Sequence, residues 1–154
     1  MTAAIPSRRR AREVALQALY QLDLVTPVDE MFLARFIAGR LRAAPLIEFC
    51  ESLVDGVREH LETVDAAIEG RAENWRLSRM TVVDRSLLRM ATFEILHTDV
   101  PPAVAADEAV ELAKRYGAES SPRFVAGILA KLIADRTGST GPASAAAAPP
   151  AERT

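Results

Sequence analysis

The sequence is poor in the residues that build disulfide frameworks, metal sites and phosphate-binding loops. Its 154 residues include one cysteine, Cys50, and two histidines, His60 and His97, that lie far apart in the chain. A lone thiol cannot form an internal disulfide, and isolated histidines lack the spacing of metal ligands. The few glycines form no phosphate-binding loop. With no positive sign of catalysis, we predict that the protein is not an enzyme and has no metal and no cofactor.

Long apolar runs are also missing. Three arginines (residues 8–10) precede the apolar stretch 14–25, which is the order found at the start of a signal peptide. Gln17, Gln21 and Asp23 interrupt that stretch, however, and no small-residue cleavage site follows it. No segment approaches the length of a membrane span. We therefore expect a reducing, cytoplasmic location, which also suits the single cysteine.

Periodicity of apolar residues predicts an all-α fold. The length suits one domain, and the 49% apolar content is enough to bury a core. The expected helices cover residues 7–23, 29–42, 46–61, a short fourth helix around 64–68, 81–97, 102–116 and 121–136. The predicted cap residues are Ser7 and Ser121 at helix starts and Gly117 at a helix end. After residue 136 the composition turns to Thr, Gly, Ser, Ala and Pro, which predicts a disordered tail over 137–154.

The fifth predicted helix is apolar around most of its circumference. Only the stripe formed by Arg85, Arg89 and Thr92 has the polarity of a solvent-facing surface. A helix of this kind belongs at the centre of a bundle.

Charge is unevenly distributed, although the net value is only −2. Arg8, Arg9, Arg10 and Arg12 all precede the first acidic residue, Glu13. Cations at the start of a helix oppose its dipole, so stability alone does not explain them. The free N–H groups at a helix start attract anions, and arginine forks would add to such a site. The cluster therefore indicates phosphate binding, while a solvated charge run that serves solubility stays about equally open.

Two aromatic residues are candidates for contacts with unpaired bases. Tyr20 follows the arginines on the first helix, and Phe124 lies just inside the start of the last helix. Either ring could stack on a base. Taken singly, each is at least as well explained as a packed side chain.

Several sequence blocks, in one order, resemble the NusB family of transcription antitermination proteins. The first runs from Arg8 to Tyr20 and reads RRRARE, followed by ALY. The others are VDR at residues 83–85, DVP at 99–101, DEAVELAK at 107–114 and the segment 121–129 with its FVAG. The resemblance covers about residues 8–132, although 29–74 match in helical pattern only. Asp107, Ser120 and Ala126 depart from residues common in the family.

The resemblance implies about seven helices in two small bundles, at about 7–72 and 78–136, within one domain over residues 1–136. It also implies binding of single-stranded boxA-type RNA together with the small-subunit ribosomal protein NusE. The transcription elongation complex would then read through terminators on ribosomal RNA operons. By position, the RNA-contacting residues would be Arg8, Arg9, Arg12, Tyr20 and Phe124. The NusE face would include Asp84 and Arg85.

Two other interpretations stay open. The chain could be a helical adaptor that binds only protein, with its arginines engaging acidic side chains. It could also be the NusB-like domain of an RNA methyltransferase, although it has neither a glycine-rich cofactor loop nor paired cysteines. Whether the free protein is a monomer or a homodimer is not decided by the sequence.

Overall fold

The computed structural model of the chain describes residues 4–73 and 75–140, with side chains described between residues 8 and 137 of those ranges. Within them the fold is all-α, as predicted, and no β-strand occurs. One 3₁₀ turn (Leu77–Arg79) precedes the fifth helix. The α-helices are α1 (Ala4–Leu24), α2 (Glu30–Arg40), α3 (Ala44–Glu59), α4 (Leu61–Glu69), α5 (Val82–His97), α6 (Pro102–Tyr116) and α7 (Ser121–Thr140).

Helix α5 is the centre of the fold. It packs against α1, α3, α4, α6 and α7. Its start is capped by Thr81, whose hydroxyl accepts the backbone N–H of Asp84 at 3.1 Å. These contacts confirm the prediction of a central fifth helix and make one continuous hydrophobic core. The proposed division into two bundles stays a prediction.

The predicted solvent-facing stripe on α5 is wrong. Thr92 is completely buried, and the side chains of Arg85 and Arg89 are only 14% and 17% exposed. Asp23 at the end of α1 pairs with both arginines, and Asp65 on α4 pairs with Arg89. The arginines are therefore covered by neighbouring helices that supply carboxylates, which the periodicity of α5 alone could not reveal.

Several helix ends differ from the prediction. Helix α1 begins at Ala4, so Ser7 lies inside the helix rather than at its cap. Pro45 lies in the first turn of α3, where a proline needs no hydrogen-bond partner. Helix α7 continues to Thr140, so the first residues of the predicted tail are helical. The remainder of that tail, 141–154, lies outside the described residues.

Gly117 lies at the end of α6, as predicted, but without the left-handed backbone that is common for a glycine at this place. Its backbone is extended, with φ −95° and ψ −173°, and not left-handed. A Cβ at this position would lie 2.6 Å from the Cβ of Ser121. Ser121 is buried, and its hydroxyl accepts the backbone N–H of Ala118 at 2.9 Å. Glycine is therefore required by the tight turn between α6 and α7, and Ser121 stabilises that turn.

The two histidines meet in space although they are distant in sequence. The rings of His60 and His97 stack with centroids 4.0 Å apart, and both contact the ring of Phe93. Partial burial and the neighbouring His60 lower the pKa of His97. The residues described contain no cluster of three or more His, Cys, Asp or Glu side chains that could hold a metal ion. Burial raises the pKa of the Cys50 thiol to about 12, so this cysteine is a core residue and not a nucleophile.

None of the helices in the described ranges is both long enough and apolar enough to cross a bilayer.

Gly56 allows α3 to approach α5 closely. A Cβ on Gly56 would lie 2.1 to 2.5 Å from the Phe93 ring, and that ring is held by its contacts with His60 and His97. Gly39 on α2 is also helical, but a Cβ there would meet nothing within 4 Å.

We expect Gly56→Ala to lower the free energy of unfolding by about 1–3 kcal/mol, because the ring must move out of a packed core. Gly39→Ala is the matched control and should stabilise by roughly 0.5–1 kcal/mol through helix propensity. Urea denaturation of both variants measures the difference. Equal effects of the two substitutions would contradict the close-packing explanation.

Candidate nucleic-acid interface

The arginines of α1 point in different directions because successive helical residues are turned by about 100°. Arg8 is exposed on the side of α3, and its guanidinium lies 4.2 Å from the centroid of the Phe49 ring. This is a cation–π contact that leaves the outer side of the guanidinium open to solvent. Because α1 begins at Ala4, Arg8 lies in its second turn. The sequence had led us to expect arginines around the free N–H groups at the helix start. The structure instead places them beyond the first turn of α1.

Arg9 lies on the side of α6 and is already paired. Its Nε and Nη2 donate to the two carboxylate oxygens of Glu108, each at 2.9 Å. The side chain of Arg9 is 48% exposed and that of Glu108 is 15% exposed. The hydrogen bond raises the pKa of Arg9 and lowers the pKa of Glu108. Arg9 is accessible, but an incoming phosphate has to compete with a carboxylate for it.

Arg12 does not fit the predicted role in RNA contact. It is 4% exposed, and its Nε and Nη2 donate to the carboxylate of Glu94 on α5 at 3.1 and 2.7 Å. The Glu94 side chain is 1% exposed. A guanidinium buried in a bidentate pair has no free face for phosphate, so the geometry corrects the prediction and makes Arg12 a residue that positions α1 on α5.

Glu13 joins two arginines that the predicted site did not include. Its carboxylate is buried and accepts from Arg10 at 3.1 Å, from Arg115 at 2.6 Å and from the hydroxyl of Tyr116 at 3.2 Å. The Arg10 and Arg115 side chains remain 45% and 66% exposed. The cluster carries two cations on one anion and therefore a net positive charge. An acid within the arginine-rich run was the only sequence signal for it.

Tyr20 lies on the exposed side of α1 and is 38% exposed. It lines an open groove of about 470 Å³ to which Arg10 and Tyr116 also contribute. Its ring is therefore accessible next to cations, as stacking on a base requires.

Phe124 lies in a different environment. It is partly buried, packs against the core and meets the Trp75 ring edge-on, with centroids 5.9 Å apart. Its contacts with the core fit the packed interpretation, and its partial exposure fits the stacking interpretation. Its described contacts do not link it to Arg8 or Arg9, so a single surface for the rings and the arginines stays a prediction.

Asp84 and Arg85, expected on a partner face, are both largely buried. Asp84 is 9% exposed, and one of its carboxylate oxygens has no hydrogen-bond partner among the described residues. Arg85 pairs with Asp23 and donates to the backbone carbonyls of Leu77 and Met80 at 2.8 and 2.9 Å. Groups of the same chain therefore already bind Arg85. Of these two residues, only Asp84 has an acceptor atom without a hydrogen-bond partner within the residues described.

These features define an all-helical protein that presents arginine from one helix, with some of the cations held in place by carboxylates. The NusB family model matches residues 9–134. The chain is 49% identical over 128 residues to the transcription antitermination protein NusB of Anaeromyxobacter sp. strain Fw109-5, covering 82% of this chain and 90% of that protein. It is 43% identical over 144 residues to the NusB of Symbiobacterium thermophilum, covering 88% and 94%.

Solved structures agree with this assignment. T. maritima NusB superposes with a TM-score of 0.74 at 37% identity, covering 83% of this chain and 91% of that one. A chain from a complex of the antitermination factors NusB and NusE with double-stranded RNA gives 0.76 at 25% identity, covering 84% and 98%. The chain belongs to the NusB family. Membership of this family of antitermination factors, which are not enzymes, supports the prediction of a non-enzymatic protein.

If Arg12 positions α1, its removal should affect stability directly. We expect Arg12→Met to lower the free energy of unfolding by about 3–5 kcal/mol, because it leaves Glu94 buried without a partner. The double variant Arg12→Met/Glu94→Leu should recover most of that loss, since no buried charge remains. Chemical denaturation of the single and double variants provides the measurement. A stable Arg12→Met single variant would contradict the positioning role.

Proposed function

We propose that this protein binds boxA-type single-stranded RNA together with the small-subunit ribosomal protein NusE. Within the cytoplasmic transcription elongation complex, it would promote read-through of ribosomal RNA operons. The observation that carries this proposal is that α1 presents accessible arginines (Arg8, Arg9 and Arg10) and an exposed tyrosine (Tyr20), at positions that match the family's arginine-rich block. The solved complex of NusB and NusE with double-stranded RNA supports RNA and NusE as the two partners.

The RNA-contacting face would comprise Arg8, Arg9 and Tyr20, with Phe124 as a further ring. Arg8 and Arg9 would contact phosphates, which position a strand without reading its sequence. Tyr20 would stack on an unpaired base. Arg12 would contribute indirectly, by fixing the rotation of α1 through Glu94.

The NusE-binding face would include Asp84, with Arg85 behind it. The unpaired oxygen of Asp84 is itself shielded from solvent, but 9% of the residue is exposed. A donor from NusE would form a charge-assisted hydrogen bond with this accessible part of the carboxylate. Arg85 would support the face by holding the 3₁₀ turn through its two carbonyl contacts.

Charge reversal of the accessible arginines tests RNA binding. We expect Arg8→Glu/Arg9→Glu to bind a labelled boxA-type RNA at least tenfold more weakly than the wild type at moderate salt. The log–log salt slope should fall by about 1.4, at about 0.7 per lost phosphate contact on a single strand. Arg35→Glu, an exposed substitution on α2, is the control. Fluorescence anisotropy over a salt series measures both quantities, and unchanged affinity in the double variant would overturn the RNA-binding proposal.

Glu108 should restrain Arg9 and thereby limit RNA affinity. We expect Glu108→Gln to strengthen RNA binding several-fold at low salt, because it releases Arg9 and removes a negative charge beside the phosphates. Glu111→Gln removes an acid on the same helix that pairs with Lys114 instead, and should change affinity less. Weaker binding by Glu108→Gln would mean that the pair orients Arg9 for RNA and does not compete with it.

Asp84→Asn tests the NusE-binding face while preserving side-chain size. We expect it to weaken binding of purified NusE about tenfold or more, since a charge-assisted hydrogen bond contributes about 1.5–3 kcal/mol. The melting temperature should change little or rise, because an unpaired buried charge is removed. A lower melting temperature with full NusE affinity would show that Asp84 serves only the start of α5.

A further inference from the structure

The groove beside Tyr20 has a second wall that the arginine-rich block does not contain. Helix α2 contributes Phe36 and Arg40 to this wall, and α1 contributes Gln17 and Gln21 together with Tyr20. Residues of α2 match the family only in helical pattern, so no role was expected for them. At about 470 Å³ the groove falls within the size range of sites that take small ligands.

Electrostatics in the groove favour an anion. Arg10 and Arg40 both line it, and none of the lining residues within the described ranges is acidic. The carboxylate of Glu13, which pairs with Arg10, is buried and also accepts from Arg115 and Tyr116. A phosphate entering here meets two exposed cations: Arg10, which is paired with Glu13, and Arg40, which has no carboxylate partner in the described part of the chain.

Flat surfaces for a base are present on both walls. The guanidinium of Arg40 lies over the Phe36 ring, 3.8 Å from its centroid. A hydrogen bond from Arg40 Nη1 to the carbonyl oxygen of Phe36, at 3.5 Å, further restrains the guanidinium plane. Guanidinium planes and aromatic rings are the surfaces on which unstacked bases pack. The Tyr20 ring offers a second such surface on α1.

Hydrogen-bonding groups lie between the two walls. Gln17 and Gln21 are one helical turn apart and both line the groove. A carboxamide donates and accepts, so it can pair with the edge of a base in a way that a cation alone cannot.

We propose that the groove between α1 and α2 holds one unstacked nucleotide of the bound RNA, with its base packed on Arg40 and its phosphate near Arg10. This inference rests on the RNA-binding function proposed above and adds α2 to the interface. Arg40 binds the nucleotide directly, and Phe36 holds the guanidinium plane.

Affinity measurements on variants of α2 test the groove. We expect Arg40→Ala to weaken binding of the boxA-type RNA about 5- to 150-fold, corresponding to about 1–3 kcal/mol for a stacked base. Arg35→Ala, an exposed arginine of the same helix, is the matched control and should have little effect.

Abasic RNA then identifies the nucleotide. A set of RNAs, each lacking one base, is titrated against the wild type and Arg40→Ala. One abasic position should weaken wild-type binding but cause no further loss in the variant, because base and side chain act together. Additive losses at every position would overturn the proposal.

Failure of the groove and failure of the wider function give different results. If wild-type protein binds RNA and loses it in Arg8→Glu/Arg9→Glu, while Arg40→Ala equals Arg35→Ala, only the groove is wrong. If wild-type protein shows no salt-dependent RNA binding, both proposals fail. Loss of NusE binding with full RNA binding in Arg40→Ala would make the groove a protein surface and overturn its assignment to a nucleotide.

Discussion

The ion pair between Arg12 and Glu94 fixes how the first helix sits on the central one. Both side chains are almost completely buried, and the two guanidinium donors meet both carboxylate oxygens. Either charge alone would be strongly unfavourable in this environment, so rotation or sliding of α1 against α5 is penalised. Together with the buried apolar face of α1 (Ala11, Val14, Ala15, Ala18), this pair decides which arginines of α1 face solvent, since successive residues are turned by about 100°.

Each of the exposed arginines near the start of α1 has a contact that restrains its side chain. Arg8 lies on the Phe49 ring, Arg9 is paired with Glu108, and Arg10 shares the carboxylate of Glu13 with Arg115. Restraint lowers the entropy that these side chains would lose on meeting a phosphate. The carboxylates of Glu108 and Glu13 also oppose phosphate binding, because they neutralise part of the positive charge. The surface therefore combines ordered donors with a moderate net charge. Such a balance favours a ligand whose phosphates match the donor positions over an arbitrary polyanion.

Tertiary contacts explain both the successes and the failures of the sequence interpretation. The central place of α5 followed from its apolar periodicity, which is a property of one stretch of sequence. Thr92 and Arg85 were misjudged because the helices that cover them lie far away in the chain. Gly117 was recognised as a terminator, but the requirement comes from Ser121 and not from a left-handed backbone.

The sequence by itself determined the all-helical class, the family and the presence of an arginine-rich first helix, because periodicity and the order of motifs are local properties of the chain. It could not determine which arginines are available. Arg9 and Arg12 belong to the same arginine-rich run. Arg12 is nevertheless buried against Glu94, which is 82 residues away, whereas Arg9 pairs with Glu108 at the surface. The groove that joins α2 to Tyr20 likewise exists only in the folded protein. Its walls come from separate helices, and their distance is set by the packing of the whole core and not by any local pattern.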